Sequence, residues 1–393
     1  MSRLQAMGVA ASLALAAALG WTAEARAGDT IKIGLVSEFS GPFAVSAKEM
    51  EEGMRLYMKE HGDTVAGKKI EIIRRDTGGP APDVAKRLAQ ELVVRDNVDF
   101  LAGFVVTPNA LAVADVATQA KKPTIIMNAA TSIITTKSPY FARVSFTLPQ
   151  VTEPLAHWAS KNGIKKVYTM VTDYGPGIDA ENAFKKAFTA DGGEIVGSVR
   201  MPLQSPEFSA YAQKVKDLNP QAVFIFVPSN DQPAQIMKTF AERGLTTSNI
   251  KILATGDVTE DAVLQQEGDA ALGIITSHHY SYAHNSALNK KFVAAFEKEY
   301  PDLRPDFLAV GGYDGMALIY DVVQKLNGVI DGDKAMAVIK GWKHDSPRGP
   351  IMIDPETRDV VQNIYIRKVE KKDGKLLNVE FETIKDVKDP GKQ

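Results

Sequence analysis

Small polar side chains recur in the turns after predicted strands, and these turns are the part of the sequence best suited to chemistry. In the stretch PTIIMNAATSII, residues 123–134, an apolar strand runs into Asn128, Ala129 and Thr131. Thr107 follows the preceding predicted strand. Hydroxyl and amide groups donate hydrogen bonds at little steric cost, so these turns could hold a carboxylate. Ser, Thr and Asn are also favoured helix N-caps, so any one turn could simply start a helix.

No catalytic motif accompanies these turns. The sequence contains no G-x-S-x-G, no Walker loop and no H-E-x-x-H. It also contains no cysteine, which excludes disulfides, thiol catalysis and zinc–thiolate sites. The turn that begins at Gly175 fits G-x-G-x-x-A, but the next predicted strand ends at Met201 without an acid for a ribose hydroxyl. We therefore expect neither an enzyme nor a dinucleotide site.

The histidines and the glutamate cluster give little reason to expect a metal. His278 and His279 are adjacent in a predicted extended segment, where neighbouring side chains face opposite sides. We interpret them as linker or cleft-rim residues. The glutamates at positions 49, 51 and 52 are interpreted as the solvated face of a helix. The sequence therefore predicts no metal and no cofactor.

Composition and charge indicate a two-domain globular protein. The chain has 393 residues, of which 45% are hydrophobic and 24% charged, and its net charge is −2. A chain without a basic excess is not expected to bind nucleic acid. Residues 1–27 combine Arg3, a short apolar run and Ala25-Arg26-Ala27, which is typical of a secretory signal cleaved after Ala27. An uncleaved anchor helix is the alternative.

Strands and helices alternate along the mature chain, which predicts an α/β fold. Apolar strands are expected at residues 31–36, 69–75, 98–103 and 123–127, with helices between them. The pattern restarts near residue 150, with strands at 165–173, 194–201, 222–227 and 250–255. Such alternation predicts two doubly wound parallel-sheet units. The final third is expected to hold two helices and then β-structure, with a hairpin at Asp373-Gly374.

Ligands of open parallel sheets bind outside the carboxyl ends of the strands. The loops to examine are therefore residues 37–46, 104–109 and 128–132 of the first unit, and 173–178, 228–231 and 256–259 of the second. These loops contain the candidate ligand-binding residues, which are Phe43, Ser46, Phe104, Thr107, Asn128, Ala129, Thr131, Tyr174, Ser229 and Asp257.

Several stretches resemble the branched-chain amino-acid-binding proteins, the type I periplasmic binding proteins of ABC importers. The resemblance covers essentially the whole mature chain and rests on IKIGLVSEFSGPFA, FLAGFVVTPNALAVADVA, PTIIMNAATS, VTDYGPG, FLAVGGYDGMALIYDVV and RGPIMIDPETRDV in this order. It implies two lobes joined by a three-segment hinge that closes on a ligand. The first lobe would comprise residues 29–147 plus 280–347, and the second 148–279 plus 348–393.

The resemblance also implies roles for individual residues. Thr107, Ala129 and Thr131 match the positions that grip the ligand head group, which would be a carboxylate. Tyr174 matches a tyrosine that the second lobe adds. Asp257 is the acid nearest to the position that pairs the ammonium of an amino acid.

Departures from the family pattern bear on the ligand. Asp257 is shorter than the usual glutamate, and Ser46 stands where the first loop often has an aromatic residue. Phe43, Phe104 and Tyr174 could supply stacking walls. We therefore expect a small aromatic or other hydrophobic carboxylate, with a branched-chain amino acid as the alternative ligand.

The resemblance implies a secreted receptor that hands its ligand to permease subunits in the inner membrane, and we expect it to act as a monomer. An extracytoplasmic sensor domain is an alternative, because the same fold serves both functions. A secreted hydrolase is a second alternative, disfavoured by the missing nucleophile–histidine–acid pattern.

Overall fold

The structure, a computed structural model, describes residues 30–392. The predicted signal segment, residues 1–27, lies outside the described residues. Between residues 30 and 392, none of the helices has the length and apolar character needed to cross a bilayer. The described chain forms two β-sheets with helices packed around them.

The first sheet has six strands in the order β2-β3-β1-β4-β5-β6. They are β1 (Thr30–Ser37), β2 (Thr64–Val65), β3 (Lys68–Asp76), β4 (Phe100–Gly103), β5 (Thr124–Ile126) and β6 (Phe141–Arg143). Neighbouring strands are parallel except for the β2–β3 pair. The four predicted apolar strands are confirmed as β1, β3, β4 and β5. The short β2 and β6 were not predicted, because two or three residues show no periodicity.

The second sheet has nine strands, eight of them in the order β12-β13-β14-β11-β10-β9-β7-β8, with β15 paired to β14. They are β7 (Lys166–Thr172), β8 (Glu194–Met201), β9 (Ala222–Phe226), β10 (Lys251–Thr255), β11 (Ile275–His278), β12 (Lys343–Ser346), β13 (Gly349–Ile353), β14 (Val360–Lys372) and β15 (Lys375–Val387). Strands β7 to β11 are mutually parallel, and the remainder are antiparallel. The predicted hairpin turn is confirmed: Asp373 and Gly374 both have positive φ, at 50° and 78°.

Twelve α-helices connect and cover the two sheets in the described part of the chain. They are α1 (Ala44–His61), α2 (Pro82–Val94), α3 (Thr107–Ala112), α4 (Ala114–Gln119), α5 (Leu148–Lys161), α6 (Gly175–Ala190), α7 (Phe208–Leu218), α8 (Gln232–Glu242), α9 (Leu264–Glu267), α10 (Ala287–Glu299), α11 (Phe307–Lys325) and α12 (Gly332–Ile339). The carboxylate of Asp306 caps α11 by accepting hydrogen bonds from the N–H groups of Leu308 and Ala309 at 2.8 and 2.9 Å.

The chain passes between the two sheets three times: after β6, after β11 and between α12 and β12. Helices α10 and α11 lie against α1 of the first unit, although they follow a strand of the second sheet. The hairpin β12–β13 belongs to the second sheet. The residue boundaries given above for the two lobes stay a prediction.

A buried arginine holds two of these passages together. The guanidinium of Arg348 donates hydrogen bonds to the carbonyls of Val144 and Ser145, the latter at 2.8 Å, and forms an ion pair with Asp314 at 2.9 Å. Both members of the ion pair are fully buried. The hydroxyl of Tyr365 donates to the carbonyl of Arg348 at 2.7 Å. Because a buried charge is tolerated only when paired and hydrogen-bonded, these contacts fix where the passages lie.

Replacing this arginine should therefore be costly. We expect Arg348→Met to lower the free energy of unfolding by about 3–5 kcal/mol, because it leaves Asp314 buried without its partner. The control is Arg87→Met, which breaks an exposed pair with Glu91 and should cost less than about 1 kcal/mol. Urea unfolding measures both values. Equal losses in the two variants would contradict a structural role for Arg348.

Candidate ligand-binding site

A small cavity lies between the carboxyl ends of the two sheets. It has about 20 Å³ of free space and receives residues from both units. Its lining consists of Phe43, Val105, Val106, Thr107, Asn128, Ala130, Phe146, Leu148, Tyr174, Pro176, Phe226, Pro228, Ser229 and Asp257. A water molecule needs roughly 10–15 Å³ of such space, so in this closed form the two walls leave room for about one water and would separate to admit a ligand. The lining has four aromatic rings and no lysine or arginine among the described residues.

The wall from the first sheet presents hydroxyl and amide groups. The hydroxyls of Thr107 and Thr131 lie 3.0 Å apart, and both side chains are buried. Asn128 donates through its side-chain nitrogen to the carbonyl of Val105 at 2.9 Å. Its side-chain oxygen has no hydrogen-bond partner among residues 30–392. The two threonine hydroxyls can donate hydrogen bonds, whereas the free oxygen of Asn128 can only accept one.

The wall from the second sheet combines an aromatic pair with a buried acid. Tyr174 stands at the N-cap of α6, and its ring stacks on Phe226 with the centroids 6.1 Å apart. Burial raises the pKa of Asp257 from 3.8 to about 6, although the positive charge of Arg367 opposes this shift. One carboxylate oxygen of Asp257 lacks a hydrogen-bond partner in the described chain. That oxygen is buried, and Nε2 of His278 lies 3.9 Å from it.

The two walls are in direct contact. The hydroxyl of Ser46, on α1, donates to the backbone carbonyl of Ser229, which follows β9, at 2.9 Å. A Cβ atom on Gly175 would lie 2.7 Å from the hydroxyl oxygen of Thr131, so only glycine allows α6 to approach the first unit this closely. The structure is thus that of a closed cleft.

Most of the predicted site residues come together here. Six line the cavity, namely Phe43, Thr107, Asn128, Tyr174, Ser229 and Asp257. Thr131 and Ser46 contact lining residues through the hydrogen bonds described above. Phe104 and Ala129 instead pack in the apolar cluster on the far side of the first sheet. The Phe104 carbonyl accepts a hydrogen bond from the Ala129 N–H at 2.9 Å, so these two residues shape the turn from behind.

Sequence reasoning named only two of the four aromatic rings in the lining, Phe43 and Tyr174, and missed Phe146 and Phe226. Phe146 and Leu148 lie where the chain leaves the first sheet, and Phe226 ends a buried strand. In sequence these side chains look like ordinary core residues. The sequence offered one clue that Phe226 could face a ligand. Phe226 and Pro228 border a loop at the carboxyl edge of the sheet, where ligands of parallel sheets bind.

The two central histidines lie at a crossing between the sheets, which agrees with the linker interpretation, but the alternative that they form the cleft rim was wrong. His278 and His279 are fully buried, and both rings contact Phe146, with centroid distances of 4.9 and 4.8 Å. Burial, together with nearby positive charges, holds the pKa of both rings well below 6.5. The His278 ring lies 3.9 Å from the free oxygen of Asp257. As neutral rings they support the cavity wall from behind rather than forming its rim.

The expectation of a solvated glutamate face was also wrong. Glu51 is buried and pairs with Arg55 and Arg74, whereas Glu49 is buried at the interface between the two units. Carboxylate oxygens of Glu49, Glu260 and Asp306 lie within 4.8 Å of one another. We call these three residues the carboxylate cluster. Burial and the neighbouring acids raise the pKa values of Glu49 and Glu260 well above 4.5.

Comparison with known proteins adds independent information. Residues 30–375 match the family model described as "Periplasmic binding protein". The chain is 44% identical over 382 residues to the Leu/Ile/Val-binding protein homolog 6 of Brucella suis biovar 1, covering 97% of this chain and 98% of the relative.

Two solved structures are also similar, and both are ABC-transporter solute-binding proteins with aromatic acids bound. The protein from Rhodopseudomonas palustris BisB5, in complex with 3,4-dihydroxybenzoic acid, is 55% identical, with a TM-score of 0.91. The protein from Rhodopseudomonas palustris HaA2, in complex with p-hydroxybenzoic acid, is 45% identical, with a TM-score of 0.90. Each similarity covers 93% of this chain and 100% of the other.

The carboxylate cluster should make stability depend on pH. Because the pKa values of Glu49 and Glu260 are raised on folding, the native state retains protons that the unfolded chain has released above about pH 4.5. Their stabilising contribution is complete below that pH and is lost as the pH rises, by about 1.4 kcal/mol per pH unit for each proton. Glu260→Gln should therefore flatten the dependence, measured by urea unfolding between about pH 5 and 8.

The matched control for this measurement is Glu242→Gln, at an exposed position of α8. We expect its pH dependence to follow that of the unmodified protein. If Glu260→Gln and Glu242→Gln gave the same slope, the cluster would not be binding protons in the native state.

Proposed function

Because this chain belongs to the periplasmic binding protein family, we propose that it captures a hydroxylated aromatic carboxylate in the cavity between its two lobes. It is a solute-binding receptor of an ABC importer, which places it in the periplasm. The bound ligand would then be handed to permease subunits in the inner membrane. We further propose cleavage of the signal after Ala27, action as a monomer and no catalytic turnover of the ligand.

The observation that carries the ligand assignment is the composition of the cavity. Four aromatic rings surround it, from Phe43, Phe146, Tyr174 and Phe226, which favours a flat aromatic ligand over a branched aliphatic one. The likeness to two solved proteins that hold hydroxybenzoic acids supports the same class.

The polar groups suggest how such a ligand would be oriented. The carboxylate would lie against the first-sheet wall, where Thr107, Thr131 and Asn128 offer neutral hydrogen-bonding groups. The ring hydroxyl would donate to Asp257 on the opposite wall, whose free oxygen is an acceptor. Hinge closure would remove both ends of the ligand from water, which strengthens these hydrogen bonds.

A second candidate ligand is a branched-chain amino acid. The 44% identical relatives are named as Leu/Ile/Val-binding protein homologues, and a charged Asp257 could pair with an ammonium. An extracytoplasmic sensor remains the alternative to transport. A permease that takes up the bound ligand only in the presence of this protein would decide for transport.

A thermal-shift titration of residues 28–393 distinguishes the two ligand classes. The panel is 4-hydroxybenzoate, 3,4-dihydroxybenzoate, benzoate, leucine and phenylalanine. A ligand at about 100 times its dissociation constant should stabilise the protein by about 2.7 kcal/mol. We expect this stabilisation with the hydroxybenzoates and none with the amino acids. A shift with leucine alone would establish the second candidate instead.

The role of Asp257 gives a sharper test. Asp257→Asn keeps the side-chain size but removes the charged acceptor, which should cost hydroxybenzoates about 1.5–3 kcal/mol, or roughly 10- to 100-fold in affinity. Benzoate has no ring hydroxyl and should bind both forms about equally. Calorimetric titration at pH 7.5 measures the affinities. An equal loss for benzoate and 4-hydroxybenzoate would show that Asp257 does not contact the hydroxyl.

A further inference from the structure

A second, wider cleft lies beside the ligand cavity, and Phe43 lines both. We call it the outer cleft; its free space is about 620 Å³, against about 20 Å³ for the cavity, and it opens to solvent. Within residues 30–392, no other residue belongs to both linings. The two spaces therefore meet at a single phenyl ring.

Local structure explains why this ring stays in place. Phe43 ends a single 3-10 turn, Gly41–Phe43, which leads directly into α1. Gly41 has a φ of +76°, a backbone conformation that is strained for any residue with a side chain. The ring of Pro42 restricts its own φ, which limits the backbone freedom of the residue just before Phe43. The Phe43 side chain is only 4% exposed.

The loop after β9 completes the partition between the two spaces. Pro228 and Ser229 line the cavity, whereas Asn230 and Gln232 line the outer cleft. The hydrogen bond from Ser46 to the carbonyl of Ser229 holds this loop against the first unit, three residues beyond Phe43. The Phe43 ring and the loop after β9 thus form one wall between the cavity and the outer cleft. A substitution can remove the ring, but it cannot remove the backbone of the loop.

The chemistry of the outer cleft differs from that of the cavity. Six uncharged polar residues contribute to its lining, namely Thr77, Gln204, Ser205, Asn230, Gln232 and Gln235. Its charged lining residues are both acidic, Glu207 and Asp231, and in the described chain no lysine or arginine joins them. This surface suits a neutral group that donates and accepts hydrogen bonds, and it repels a second carboxylate.

We propose that Phe43 sets the length limit of the ligand, and that the outer cleft is a second binding region for a neutral polar extension of a longer aromatic acid. The inference rests on the proposed aromatic-acid function. With the ring in place, the cavity is separated from the outer cleft, so a bound acid cannot extend from one into the other. Without the ring, the cavity and the outer cleft become continuous, and an acid with a side chain between ring and carboxylate fits across both.

Phe43→Ala tests the length limit through a ratio of dissociation constants. Calorimetry gives the values for 4-hydroxybenzoate and 4-hydroxycinnamate with the unmodified protein and with the variant. We expect the unmodified protein to prefer 4-hydroxybenzoate, and the variant to shift the ratio at least tenfold toward 4-hydroxycinnamate. 4-Carboxycinnamate, of similar length but with two negative charges, should gain less than threefold.

Two further variants make the result interpretable. Phe381→Ala removes a phenyl ring that is 50% exposed on β15, so its ratio should stay that of the unmodified protein. Phe43→Leu keeps an apolar side chain at this position. It is the variant to measure if Phe43→Ala does not fold. It should shift the ratio in the same direction by a smaller factor.

Three results would overturn the inference. One is an equal loss of affinity for both acids in Phe43→Ala, which would make Phe43 only a packing residue while leaving the receptor function intact. Another is equally tight binding of both acids by the unmodified protein. The third is the absence of binding of either acid to the unmodified protein, which would overturn the proposed function as well.

Discussion

The ion pair between Arg348 and Asp314 is the interaction on which the rest of the structure depends. It lies where the chain crosses between the two sheets, and its guanidinium also binds the carbonyls of Val144 and Ser145. Two charges removed from water are stable only if every partner stays in position. This requirement fixes two of the three crossing segments relative to each other. The cavity lies between the carboxyl edges of the two sheets that these crossing segments connect.

The cavity divides its chemistry between those edges. The first sheet contributes neutral hydrogen-bonding groups around Thr107 and Asn128, and the second contributes an acid, Asp257. Under the proposed function, a ligand with an anionic end and a donor end would satisfy both walls at once, whereas a uniformly apolar ligand would leave the polar groups unpaired. Such a ligand would be selected only when the cleft is closed, because neither wall alone presents both the hydroxyl donors and the acid.

The strands and the polar turns could be predicted from the sequence because both are local features. An apolar run such as residues 123–127 identifies a strand, and a strand in a parallel sheet implies which loop can meet a ligand. The Asp373-Gly374 turn is equally local. Two adjoining side chains, Phe104 and Ala129, nevertheless point into the core rather than the cavity. A turn shows where a site lies but not which of its side chains face it.

What escaped prediction depends on contacts between distant segments. Glu49 lies on an amphipathic helix, and its charge suggested a solvated face. It is buried because Glu260 and Asp306, more than 200 residues away in sequence, are packed against it. Phe146 and the two central histidines were misjudged or missed for the same reason, since the crossing segments acquire their surroundings from both units. The interleaving of the two units came only from the family resemblance, because strand order alone does not reveal it.

The hydrogen bond between Ser46 and Ser229 has an asymmetry with an evolutionary consequence. Its donor is a side chain, but its acceptor is a backbone carbonyl, which every amino acid possesses. Position 229 can therefore change identity without losing the link, whereas position 46 must keep a short hydroxyl. The side chain at position 229, which lines the cavity, can therefore be replaced while the closed geometry is preserved. A substitution at position 229 can thus change the surface of the cavity, whereas the hydrogen bond that holds the two units together depends only on the hydroxyl at position 46.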